Sequence, residues 1–393
     1  MDIAQQQDMT SAAAADALAL YVHWPFCVSK CPYCDFNSHV RAEVDQAAWR
    51  AALLADLAHE AALTPGRRVG WVFFRGGAAS LMPPETAAAV IDAATAAWAP
   101  TDEIEITLEA NPSSVEAARF QDFAHAGVNR VSLGLQALDD SALRFLGRAH
   151  DVSEGLAALD IAQRRFSRVS FDLIYARPDQ TEAAWTAELQ RALAFGTGHL
   201  SLYQLTIEVG TRFATLAREG RLTIPEEGPA ANLYELTQSI TEAAGLPAYE
   251  ISNHARPGEE SRHNLVYWRY GDYLGIGPGA HGRRCGVSTL RHRKPENWLG
   301  AVARQGHGLA EEEPLTVDQR ADEALLMGLR LAEGIDATRF HRQSGRPLWD
   351  AIDARAARRC ADLGLIETSP DRLAATTAGR QLLARPLGGL GRV

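Results

Sequence analysis

Residues 18–39 read Leu-Ala-Leu-Tyr-Val-His-Trp-Pro-Phe-Cys-Val-Ser-Lys-Cys-Pro-Tyr-Cys-Asp-Phe-Asn-Ser-His. Leu18–Trp24 has the apolar, β-branched and aromatic character of a strand, and Pro25 ends it. The short loop that follows carries Cys27, Cys31 and Cys34 in C-x3-C-x2-C spacing. Three thiols so close suit a metal site in a reduced compartment, whereas a disulfide framework uses an even, dispersed set. Three thiolates on a [4Fe–4S] cluster leave one iron without a protein ligand. That iron is open to chelation by the amino and carboxylate groups of a small molecule. On spacing alone zinc is the rival, with His39 as fourth ligand. Cys285 and Cys360 stand apart and are expected to be ordinary buried cysteines.

Beyond this loop the chain alternates between short strand-like runs and longer helical patterns. The predicted strands are 18–24, 71–75, 103–109, 130–135, 169–175 and 200–207. The predicted helices are 45–63, 84–97, 115–126, 141–166 (broken near Gly147), 182–195 and 230–244. Six strand–helix units imply parallel strands with right-handed crossovers, in an open doubly wound sheet or a partial barrel. Cys27, Gly76, Gly77, Glu109 and Gln136 fall at or just past strand ends, and Asp172 lies on the fifth strand. Chemistry gathered at the C-terminal mouth favours the barrel. The expected fold is therefore α/β, a partial (β/α)6 TIM-like barrel. A smaller, mostly helical, winged-helix-like C-terminal domain follows. The expected division is a loose lead-in over 1–17, the barrel over 18–250, an irregular segment completing the core over 251–310, and the C-terminal domain over 311–393.

The chain has 393 residues, 46% hydrophobic and 22% charged, with a formal net charge of −10. This is globular composition, and the acidic balance argues against nucleic acid as a partner. No apolar run is long enough to span a bilayer. The first twenty residues hold Asp2, Asp8 and Asp16 but no Lys or Arg, unlike a secretory signal or a mitochondrial presequence. A cytoplasmic location is expected.

The cysteine loop resembles the cluster motif of radical S-adenosylmethionine (SAM) enzymes. The resemblance is closest to the HemN/HemW group, the oxygen-independent coproporphyrinogen III oxidases and the related haem chaperones. Further blocks carry it: Glu-Ala-Asn-Pro (109–112), Gly-Val-Asn-Arg-Val-Ser-Leu-Gly-Leu-Gln (127–136), Leu-Gly-Arg-Ala-His (146–150), Phe-Asp-Leu-Ile-Tyr (171–175) and Tyr-Gln-Leu-Thr-Ile-Glu (203–208). Arg-His-Asn-Leu-Val-Tyr-Trp (262–268) and Gly-Ile-Gly-Pro-Gly-Ala-His (275–281) extend it. It implies a radical SAM barrel with a [4Fe–4S] cluster on Cys27, Cys31 and Cys34. It further implies a SAM pocket made by Tyr21, Gly76, Gly77, Ala78, Glu109, Gln136, Arg148 and Asp172, with Arg148 on the methionyl carboxylate. The oxidases carry a fourth cysteine at the position of Phe36 and a longer N-terminal extension. The chaperones carry His-Asn-x-x-Tyr-Trp, here His263 to Trp268. The resemblance therefore favours the chaperone branch and implies haem as cargo, His263 as its ligand, and transfer to a respiratory haem protein. A haem-linked homodimer, a flavodoxin or ferredoxin as electron donor for radical chemistry, and peripheral contact with the membrane also follow from the resemblance.

Three readings compete: a haem chaperone, a coproporphyrinogen III oxidase that cleaves SAM, and a degenerate or zinc-binding protein without radical chemistry. One segment departs from the family pattern. Where Gly-Gly-Gly-Thr-Pro-Ser is usual, residues 75–80 are Arg-Gly-Gly-Ala-Ala-Ser. Arg75 at the pocket mouth is expected to weaken SAM binding while the cluster still forms. Asp179 and Val209 stand where glycine and proline are usual.

Overall fold

The computed structural model describes residues 17–384. The lead-in expected over 1–17 thus lies, apart from Ala17, outside the described residues. Six strands form the body: β1 (Ala17–Trp24), β2 (Arg68–Gly76), β3 (Ala99–Ala110), β4 (Arg130–Gln136), β5 (Arg168–Tyr175) and β6 (His199–Gln204). Each pairs in parallel with the next, with Tyr21 opposite Phe73, Phe74 opposite Leu108, Leu108 opposite Val131, Val131 opposite Val169 and Asp172 opposite Ser201.

Helices fill the crossovers. Gln46–Leu63 is capped by Asp45, and Pro84–Ala97 starts on proline, whose fixed φ suits a first helical turn. Asp151 and Glu154 form a capping box on Val152–Arg165. The expected break at Gly147 separates that helix from Asp140–Phe145. On β5, Phe171 and Leu173 pack outward into the apolar core, while Ser170 and Asp172 alternate inward. The barrel interior is consequently polar. The observed architecture is the expected partial (β/α)6 barrel with a smaller C-terminal domain.

The segment over 251–310, expected to be irregular, is instead ordered sheet and helix. Asn253–Ala255 pairs antiparallel with β6, and Tyr273–Ile276 pairs parallel with β1. Strands His281–Arg284, Val287–Arg291 and Leu309–Pro314 continue that edge. The apolar pattern is missing because these strands bury arginines. Arg291 and Asp56 are both 0% exposed, and Arg291 and Arg284 reach Glu60 at 2.6 and 2.8 Å. Asp56 also accepts from Gly277 N, Trp298 Nε1 and Gly308 N. A buried charge persists only when so fully partnered. The isolated cysteines differ from expectation too. Cys285 is exposed in the turn before Val287–Arg291, and Cys360 is only half-buried.

The C-terminal module contains helices Val317–Gly328, Ala337–Ser344 and Ala354–Asp362. Its three short strands lie in the order Ile335–Asp336, Arg372–Ala375, Ile366–Ser369. This is a winged-helix arrangement, with Phe340, Ile335 and Leu373 in its own core. The last helix, Thr377–Ala384, returns to the barrel, where Gln381 Nε2 donates to Ala231 O at 3.2 Å. Among the described residues no helix is long and apolar enough to cross a membrane.

Candidate functional site at the barrel mouth

The C-terminal ends of the strands surround a cavity of about 840 Å³, within the size range of cofactor sites. Cys27, Cys31 and Cys34 form one side. Their loop is pinned from several directions: Gly77 N and Ala78 N donate to Trp24 O and Phe26 O, and Phe213 N donates to Pro32 O. Asn37 Nδ2 donates to Pro278 O and Arg293 O, both at 2.9 Å. Beneath it, burial pushes His23 down to about 4, so its imidazole is neutral. Its Nε2 donates to Asn37 O at 2.9 Å, which leaves Nδ1 to accept from the Tyr21 hydroxyl at 2.5 Å.

Two glycines are required here. A Cβ on Gly77 would lie 2.6 Å from Phe26 O and 2.9 Å from Cys27 Sγ. Gly147 has φ +66°, and a Cβ there would lie 2.5 Å from Pro32 Cδ. It lets the next residue, Arg148, reach the loop. Arg148 Nη1 donates to Cys31 Sγ at 3.5 Å, and Nη2 donates to Asn111 Oδ1 at 2.8 Å and Gly134 O at 3.0 Å. Its Nε–H is buried without an acceptor. Burial, reinforced by repulsion between the thiolates, pushes Cys27 up to about 11 and raises Cys34.

Gln136 ends β4 at φ 68°, beside a register shift in the β4–β5 ladder. That strained geometry coincides with its place in the cavity wall. Asp172 accepts from Ser132 Oγ at 3.3 Å, and burial raises its carboxyl. Arg75 turns into the cavity. Its Nε lies 3.3 Å from Glu109 Oε2, and its guanidinium carbon sits 4.6 Å from the centroid of the Phe36 ring. Phe36, which stands where the oxidases carry a cysteine, and Arg75, the first departure in the glycine segment, thus touch each other. Of the smaller departures, Asp179 has φ 58°, the left-handed region that suits the usual glycine, and Val209 is exposed.

Burial outweighs the Arg75 charge and pushes Glu109 up to about 7 from an ordinary 4.5. The folded chain therefore holds this proton at pH values where the unfolded chain has lost it. Stability from this group is present at low pH and is lost as pH rises from about 4.5 to about 7. In anaerobic urea denaturation, the stability of wild type minus that of Glu109→Gln is expected to shrink from pH 5 to pH 8. A constant difference contradicts this.

Cys27, Cys31, Cys34, Gly77, Ala78, Glu109, Gln136, Arg148 and Asp172 all line the one cavity. Tyr21 and Gly76 do not; they lie behind its wall, where a Cβ on Gly76 would meet Trp24 O at 2.5 Å. His263 does not line the cavity either. It is 4% exposed, stacked on Phe73 at 3.5 Å between centroids, and hydrogen-bonded to Ser261 through Nδ1 at 3.0 Å. Glu105, midway along β3, accepts from its backbone N–H. The helix Arg262–Trp268 packs against β1 and β2. Burial also holds His263 down at about 4. His263→Ala is expected to lower stability by about 2–4 kcal/mol in urea denaturation, with haem binding retained. Full stability with lost haem binding would restore the ligand assignment. Sequence reasoning did not single out Asn111, Tyr203, Tyr234 or Arg330 as site residues, yet all line the cavity. Asn111 and Tyr203 lie within family blocks; nothing in the sequence marked Tyr234 or Arg330.

Residues 21–191 match the Radical SAM superfamily, and 315–382 match the HemN C-terminal domain. The heme chaperone HemW of Escherichia coli is 36% identical over 359 residues, covering 88% of this chain and 93% of that protein. The chain belongs to the HemW family of radical SAM proteins. Bovine radical S-adenosyl methionine domain-containing protein 1, mitochondrial, is 43% identical over 356 residues, covering 87% of this HemW-family chain and 80% of the bovine protein. The solved structure of coproporphyrinogen III oxidase (HemN) from Escherichia coli superposes with a TM-score of 0.78 at 23% identity, over 96% of this chain and 91% of that one. That likeness places the HemW-family fold and nothing finer.

Proposed function

We propose that this chain is a haem chaperone on a radical SAM scaffold, binding haem and passing it to a respiratory haem protein. Likeness to proteins named heme chaperone HemW, over nearly their whole length, supports this. The observation in the chain itself that carries the reading is Arg75, laid between Phe36 and Glu109 on the wall shared with the thiols. An enzyme that cleaves SAM must hold a cationic sulfonium near its cluster, and a fixed guanidinium there opposes it. Haem carriage has no such requirement.

Cys27, Cys31 and Cys34 fit a [4Fe–4S] cluster. The three thiols are free and share one cavity wall, and binding iron would release their protons. The cluster, when bound, supplies an open iron for amino and carboxylate chelation and a one-electron store. Arg148 would then steady Cys31, and Gln136 and Asp172 would offer hydrogen bonds to SAM. Zinc fits less well. His39 bonds Asn37 outside the cavity lining. A cluster takes each thiolate on a different iron. The cytoplasm is the proposed location, with an electron donor needed only if SAM is cleaved.

Haem titration of anaerobically reconstituted protein tests the proposal. A saturable Soret shift is expected. Absence of a shift, together with decarboxylation of coproporphyrinogen III, would favour the oxidase instead.

A further inference from the structure

Haem iron is held in proteins by histidine, cysteine, methionine or tyrosine side chains. Among the described residues, the cavity wall offers three cysteines, one histidine and four tyrosines of these types. The cysteines are taken by the cluster. His150 is 6% exposed, and its Nε2 faces Leu135 O at 3.2 Å. Tyr33 is hydrogen-bonded to Arg148. Tyr175 is buried and stacked on Trp185, and Tyr234 is buried and bonded to Arg380. Tyr203 differs from all of these. It is 39% exposed while lining the cavity, and its hydroxyl forms no hydrogen bond with another described residue.

The strand explains this placement. Leu200 and Leu202 of β6 pack into the apolar core, so Ser201 and Tyr203 alternate inward. Ser201 bonds Asp172 on β5, and Tyr203 stands one step nearer the mouth. Of the six parallel strands β6 is the last, whereas β1, the first, leads into the cysteine loop. Burial and the Asp172 carboxyl hold the free phenol protonated, and the Arg75 guanidinium opposes them by favouring the phenolate. The cation that disfavours a sulfonium thus suits an anionic iron ligand.

We infer that Tyr203 is the axial ligand of the haem iron, bound through its phenolate oxygen in the ferric state. The assignment rests on the haem reading above. On binding, the phenol O–H bond breaks, its proton passes to solvent and an O–Fe bond forms, with the iron ferric throughout.

Ferric haem titrated into anaerobically reconstituted full-length protein, followed at the Soret band and by resonance Raman spectroscopy, tests this. Wild type is expected to show tyrosinate vibrations and a high-spin charge-transfer band. Tyr203→Phe keeps the ring and removes only the oxygen. It is expected to lose both signatures and to bind haem at least about tenfold more weakly, since even a partner behind a metal ligand is worth about tenfold to a hundredfold. Circular dichroism and cluster absorbance report whether the variant folds, and the wild-type spectrum needs no variant. An imidazole or thiolate spectrum in wild type, or tyrosinate bands that persist in folded Tyr203→Phe, overturns the ligand and leaves the haem reading standing. No Soret shift in wild type overturns both.

Discussion

Arg75→Gly is expected to tighten SAM binding roughly tenfold to a hundredfold. Arg75 occupies Glu109 at 3.3 Å and lies over Phe36, inside the cavity that Gln136, Arg148 and Asp172 share. A unit charge about 6 Å from a like charge, at an effective dielectric near 20, opposes it by roughly 3 kcal/mol. Glycine removes the cation, releases Glu109 from its ion pair and restores the three-glycine pattern of the family. Isothermal titration on anaerobically reconstituted protein measures the change. Weak binding by wild type and a clear gain in the variant are expected. Ordinary micromolar affinity in wild type, or a loss in the variant, would mean that Arg75 assists SAM.

Cys31→Ser is expected to bring iron and sulfide from about four each per chain to near zero after reconstitution, with loss of the broad visible absorbance. Cys31 lies at the point where the loop meets Arg148 Nη1, so its replacement removes a ligand and that contact together. Cys285→Ser serves as the control. Cys285 sits exposed in a strand-to-strand turn outside the cavity lining, and its loss is expected to leave cluster content unchanged. Retention of the cluster in Cys31→Ser would show that another side chain can complete it.

The barrel was legible because its strands and helices carry clean periods. Pro84–Ala97 matches the predicted helix at both ends, and β1, β4 and β5 lie within one residue of theirs. The cysteine loop was legible because its ligands are local. The strands between 273 and 314 were hidden because Arg284 and Arg291 are buried against Asp56 and Glu60, more than two hundred residues earlier. No local pattern reveals a charge whose partner is so distant. The surroundings of His263 were hidden for a related reason: its motif was visible, but not that its ring stacks on Phe73. Arg330 and Tyr234 meet only because the C-terminal module folds back onto the barrel.

Haem transfer is the direct test of the central claim. Reconstituted chain loaded with one haem is mixed with an apo-haem protein, and the Soret bands of donor and acceptor are followed over time. The account predicts that the donor band falls as the acceptor band rises, at a rate that depends on acceptor concentration and not merely on spontaneous haem loss. A chain that never acquires a Soret band, or that releases haem at the same rate whether or not an acceptor is present, contradicts it.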